Sequence, residues 1–139
     1  MKSFLNGCAV LLLLFNGTGA VYGGWQLMTS PDGSGLQMTV DYLRYSPFDS
    51  FLIPGIVLFI ANGLGSFAVL TAMALRYRRV PLLIVAQGMI LCGWIVIQIA
   101  LVHMTYYLHF VMGATGVLLI ACGAGLLRLQ KNNSHENSA

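Results

Sequence analysis

The stretch "VPLLIVAQGMILCGWIVIQIALVHMTYYLHFVMGATGVLLIACGAGLL", Val80 to Leu127, decides the fold. It holds no Asp, Glu, Lys or Arg and is broken once, at "HMTY", His103 to Tyr106. Each side of the break has the roughly 20 residues that a helix needs to cross about 30 Å of hydrocarbon. So short a connection forces the two spans into an antiparallel hairpin. The histidines of "HMTYYLH", His103 and His109, then bracket the turn at one aqueous boundary, with Tyr106 and Tyr107 as interface anchors.

Upstream lie two more spans without an acid or a base, approximately 4–27 and 51–75, beside the hairpin's 80–102 and 107–127. Composition agrees: of 139 residues 58% are hydrophobic and 8% charged, with a mean hydropathy of +0.80. A soluble domain carries about 25% charged residues. The expected fold is all-α: one integral membrane domain, an up-down four-helix bundle with a structured outer loop over 28–50 and a disordered polar tail over 131–139.

The cations orient this bundle. Lys2, Arg76, Arg78, Arg79, Arg128 and Lys131 share one end, and Arg44 alone stands at the other. The positive-inside rule puts both termini in the cytoplasm. Lys2, the "AVLLLLF" core and "TGA" at Thr18–Ala20 also fit a secretory signal, but the apolar run continues through "VYGGWQLM", so an uncleaved first helix is the reading adopted. Cys8, Cys92 and Cys122 follow no ligand or redox spacing and read as small packing residues.

In the outer loop "SPDG", Ser30–Gly33, is a turn signal. Leu36, Met38, Val40 and Tyr42 alternate with polar residues, which predicts a short strand or an extended strip on the bundle. "SPFD" predicts a helix start, with Ser46 as cap, Pro47 at the first position and Asp49 in a capping box. Pro54 then predicts a bend into the second span. Trp25, Tyr42, Tyr45, Tyr106 and Tyr107 make an aromatic belt for this surface.

The runs "PDGSGLQM", "SPFDSFLIPGIVLFIANGLGS" and "QGMILCGWIVIQI" resemble a family of small, uncharacterised bacterial four-span membrane proteins, and the architecture is loosely similar to DoxX-like proteins. The resemblance implies the bundle and the bacterial inner membrane. It carries no functional residue across.

Polar residues inside the spans bear on function, because burying them in a bilayer is costly. Asn16, Asn62, Gln87, Gln98 and Thr115 are the set. Gln87, Leu91, Trp94 and Gln98 fall within about 60° on a helical wheel, a face that looks into protein. Gly55, Asn62 and Ser66 stripe the second span, and His109, Gly113, Gly116 and Gly123 the fourth. Interhelical contact is the plainer reading of these stripes; a ligand-cavity wall is the functional one.

The expected role is that of a non-enzymatic membrane subunit or a protein binding lipid or another apolar ligand. Its expected site is Trp94, Gln98 and His109, in a mostly apolar pocket opening toward the outer leaflet. Membrane lipid, a partner helix or a second copy are the expected partners; nucleic acid is not. The alternative is a redox or hydrolytic enzyme assembled from Asp32, Asp41, Arg44, Asp49, His103 and His109 at the outer mouth. No cofactor or metal is expected: paired haem ligands face each other across a core, and zinc needs more ligands than the histidines supply.

Overall fold

The computed structural model describes residues 1–103 and 105–138; Met104, inside the predicted "HMTY" turn, lies outside them. Four helices, Lys2–Thr29, Leu52–Ala74, Val80–Val102 and Tyr107–Glu136, are each long and apolar enough to cross a membrane. They form an all-helical up-down bundle in which each packs on its chain neighbours and the fourth closes the ring on the first. Lys2 and the Arg76–Arg79 turn mark a basic end; residues 30–51 cap the opposite, loop end.

Two seams hold helices in backbone contact. A Cβ added at Gly24 of the first helix would lie 2.7 Å from the Phe59 Cβ and 2.8 Å from the Gly55 carbonyl oxygen. One added at Gly55 would meet the Leu27 Cβ at 2.7 Å. In the hairpin, Gly88 faces the Gly116 carbonyl at 2.7 Å and Gly116 faces the Cys92 Sγ at 2.6 Å, on the same construction. Only glycine permits such an approach, and in a bilayer close packing replaces the hydrophobic drive that lipid cannot supply. The predicted glycine face of the fourth helix is therefore real at Gly116 and Gly123, while Gly113 has nothing within 4 Å.

The second helix is π-helical over Leu58–Leu64. Gly55 and Gly63 are eight residues apart, about 80° on a regular α-helix. The wider π turn narrows that angle, and both glycines meet the first helix, at Leu27 and Val21. Pro54 sits in the helix's first turn, where no intrahelical donor is needed, and the helix becomes π-helical from Leu58.

The interior is layered. Nearest the basic end Ala9, Leu13, Val69, Ile84, Leu119 and Leu126 form an apolar core. A polar layer follows. The buried Asn16 amide donates to the Ser66 hydroxyl at 2.8 Å, and the Gln87 amide donates to the Ala61 carbonyl at 3.2 Å. Such bonds contribute about 0.6 kcal/mol each, up to about 2. Gly65 makes room for Gln87, whose Oε1 would lie 2.7 Å from a Cβ there. Asn62 departs from the pattern: it is fully buried, and neither amide atom has a partner among the described residues. Thr115 bonds back to the Val111 carbonyl of its own helix.

The loop differs from its sequence pattern. In place of a strand it makes 3₁₀ turns at Ser34–Leu36 and Val40–Leu43, and no strand occurs among the described residues. A lone strand has no ladder partner for its amides and carbonyls. The turns satisfy theirs locally while Leu36, Met38 and Tyr42 pack on Leu27, Leu43 and Phe51. The "SPDG" turn forms with Gly33 at φ 85°, and its N–H donates to the Ser30 carbonyl at 2.9 Å. Ser34 donates from both hydroxyl (2.7 Å) and N–H (3.0 Å) to Asp32, holding that carboxyl below its ordinary pKa. Ser46 accepts only from the Phe48 N–H, and no helix begins there. The start is delayed to Leu52 because the Phe51 N–H is taken by the Pro31 carbonyl at 2.8 Å.

The fourth helix continues to Glu136, through most of the tail expected to be disordered. Gln130 anchors this extension by donating to the Arg78 carbonyl at 3.3 Å. The second helix ends in a Schellman-type turn: Arg76 N–H to the Met73 carbonyl (3.1 Å) and Tyr77 N–H to the Ala72 carbonyl (3.0 Å). Arg76 takes φ 52° there, a conformation costing a residue with a Cβ roughly 1–2 kcal/mol.

Two predictions follow from the seams and the polar layer. Gly24→Ala and Gly88→Ala should each lower stability in detergent by about 1–3 kcal/mol, whereas Gly19→Ala and Gly93→Ala, with nothing within 4 Å of the new Cβ, should not; denaturant titration checks the contrast. Asn62→Leu should be neutral or stabilising, since it removes a buried amide with no partner among the described residues, while Gln87→Leu should cost about 0.6–2 kcal/mol by removing the bond to the Ala61 carbonyl. Equal losses for both would count against this account of the layer.

Candidate functional site

At the loop end the third helix presents the face read from its spacing. Gln87, Leu91 and Trp94 are buried, and Gln98 is half-buried one turn further out. Trp94 is 7% exposed and packs with Leu91, Ile95, Leu58 and Met112. Its indole Nε1–H has no acceptor among the described residues, although a buried Trp N–H usually finds one. Gln98 likewise makes no hydrogen bond to a described residue.

His109 lies in the first turn of the fourth helix. Its Nδ1 accepts the Tyr106 N–H at 3.0 Å while its own N–H donates to the Tyr106 carbonyl at 3.0 Å. The imidazole thus does the work that Glu or Gln does in a capping box, which leaves its proton on Nε2. Trp94 and Gln98 share a helix face; His109 is bonded to Tyr106 instead of to either of them.

The second and third helices part at this end. Leu52–Val57 packs on the first helix, and the third is met chiefly from Leu58 onward. The Val40–Leu43 turn lies against the third helix in its place. Leu58 joins the two apolar clusters, the one under the loop and the one around Trp94. Rings hold this cover down: Tyr42 meets Tyr106 edge-on at 6.3 Å, Tyr45 meets His103 at 5.1 Å, and Arg44 lies 6.0 Å over Tyr45. The Tyr42 hydroxyl beside Tyr106 pushes that phenol above its ordinary pKa. The two histidines of the opening stretch therefore belong to different contacts, His103 to the loop and His109 to its own helix start. Among the described residues no three His, Cys, Asp or Glu converge as a metal site would require.

A second feature was not read from the sequence. Where the four helices meet at the basic end, a cleft of about 740 Å³ opens beneath Lys2, Arg76 and Arg78. Val10, Leu70, Met73 and Leu126 line it deeper in, with Asn6 and Gln130 between the two levels. Its cations had been fully accounted for by membrane orientation, so nothing in their spacing signalled a cavity.

No family model, curated protein or solved structure matches the chain.

Proposed function

We propose that this multi-pass membrane protein is a non-enzymatic binding protein for a lipid or another apolar ligand, held at the loop end by Trp94, Gln98 and His109. The observation that carries the reading is Trp94: a buried indole donor without an acceptor among the described residues, walled by Leu58 and Met112 and one turn from the Gln98 amide, which bonds to no described residue either. A ligand with a carbonyl, ether or hydroxyl oxygen on an apolar body satisfies both groups, in the usual pattern of apolar walls with few polar contacts. The divergence of the second and third helices supports entry from the bilayer, and the Val40–Leu43 turn supplies a cover. His109 contributes its Nε2–H.

The same reading sets the protein in a bacterial inner membrane with both termini in the cytoplasm, supported by six cations at the basic end against Arg44 at the loop end. A partner helix or a second copy is compatible with the apolar outer surface.

An amphiphile retained through purification should be detected by native mass spectrometry and lost when Gln98 and His109 are both changed to Leu. Unchanged retention, or no bound amphiphile in the wild type, would overturn the site. For orientation, Ser34→Cys should label with a membrane-impermeant thiol reagent in intact cells and Ser134→Cys only after lysis; the reverse pattern would invert the topology.

A further inference from the structure

We propose that the basic-end cleft is a second binding site, for an anionic phospholipid of the adjoining leaflet, with the phosphate held by Lys2, Arg76 and Arg78 and an acyl chain lying against Val10, Leu70 and Met73. The site is distinct from the one proposed at the loop end and does not depend on it.

Three observations carry the proposal. First, the cleft is amphipathic along the membrane normal. Lys2 and Val10 are eight residues apart on one helix, roughly 12 Å at 1.5 Å per residue, so the cationic mouth stands about two turns from the apolar floor, the spacing that sets a headgroup above its acyl chains. A soluble anion has no use for such a floor.

Second, no described residue compensates the cations. No carboxylate lines the cleft, and among the described residues none pairs with Lys2, Arg76 or Arg78. Three of the chain's four acids, Asp32, Asp41 and Asp49, are at the far end of the bundle, and the fourth is Glu136 near the end of the extended helix. Neutral donors add to the cations: the Tyr77 hydroxyl and, just below the rim, the Asn6 amide suit phosphate and glycerol oxygens.

Third, Arg76 occupies the left-handed position of the Schellman turn, where glycine is the unstrained residue. The turn's geometry does not call for an arginine, whereas the charge at the cleft mouth does. Gln130 ties the fourth helix to the Arg78 carbonyl and so fixes the far wall against the rim.

The test uses the full chain in a neutral detergent, titrated with phosphatidylglycerol and, in parallel, phosphatidylcholine, with retained lipid counted by native mass spectrometry. Phosphatidylglycerol should be retained preferentially, and raising the salt to about 0.5 M during titration should weaken it strongly by screening the rim. In the triple variant Lys2→Gln, Arg76→Gly, Arg78→Gln, affinity should fall on the order of 100-fold, from about 1 kcal/mol per basic residue near an anionic surface. Glycine is chosen at 76 because the turn accepts it; Arg78→Lys should retain binding. The Gln98→Leu, His109→Leu variant should bind phosphatidylglycerol normally, which separates this site from the loop-end one. Equal retention of the two lipids, binding insensitive to salt, an unaffected folded triple variant, or complete competition by sodium phosphate or glycerol 3-phosphate at equal concentration would each overturn the proposal. Should the triple variant fail to fold, the lipid and salt comparisons on the wild type still decide.

Discussion

The architecture depends on backbone-to-backbone contact at two places, Gly24 against Gly55 and Gly88 against Gly116. Lipid offers an apolar side chain about what another helix offers, so association in the bilayer is won by close packing and interhelical hydrogen bonds. The seams make two tight pairs, first with second helix and third with fourth. What remains between the pairs is looser, and register there is set by particular contacts: Gln87 to the Ala61 carbonyl between the second and third helices, and Leu5 against Gly125 between the first and fourth. Openings belong where a seam does not reach. The basic end, where all four helices meet, is such a place; at the loop end the Val40–Leu43 turn fills the gap between the second and third helices.

Layering along the membrane normal follows from the same pairing. Asn16 and Ser66 bond across the first seam at mid-depth, and Gln87 reaches across the gap at a neighbouring level. Above and below are the Trp94 cluster and the larger apolar core. A polar bond is worth most where water is scarce, so a single such level can fix the helices' sliding register without softening the apolar layers. The π segment serves this arrangement by keeping Gly55 and Gly63 against the first helix while holding the Ala61 carbonyl where Gln87 can use it. Asn62 within it has a buried amide with no partner among the described residues.

The spans were legible because bilayer thickness and charge exclusion act on every residue of a helix at once. The third helix matches its expected limits, bounded by Arg79 with Pro81 in its first turn at one end and the left-handed His103 at the other. The loop was legible only in part. Its alternation records which side chains face the bundle, Leu36, Met38 and Tyr42, but a two-residue period does not say whether the backbone between them is extended or turned. "SPFD" carries every local sign of a helix start, yet the Phe51-to-Pro31 bond, between residues twenty apart, postpones it. Likewise the polar tail composes like a disordered segment but extends an already formed helix, which needs no new nucleus.

The candidate sites divide along the same line. Trp94 and Gln98 could be placed together from spacing, since one helix supplies both. His109 could not be joined to them, because its ring bonds to Tyr106, and helix-start chemistry by histidine lacks the familiar sequence signature. The basic-end cleft was hidden for a different reason. Lys2, Arg76 and Arg78 come from two separate parts of the chain, and membrane orientation explains their charge without requiring that they converge. Convergence adds what orientation cannot: cations around the mouth of a cleft with an apolar floor, while three of the four acids stand at the other end of the bundle. Orientation alone would be served as well by an arginine anywhere near the helix end, in an unstrained conformation. Arg76 instead stands at the one position of its turn that disfavours a side chain, and that position brings it to the cleft.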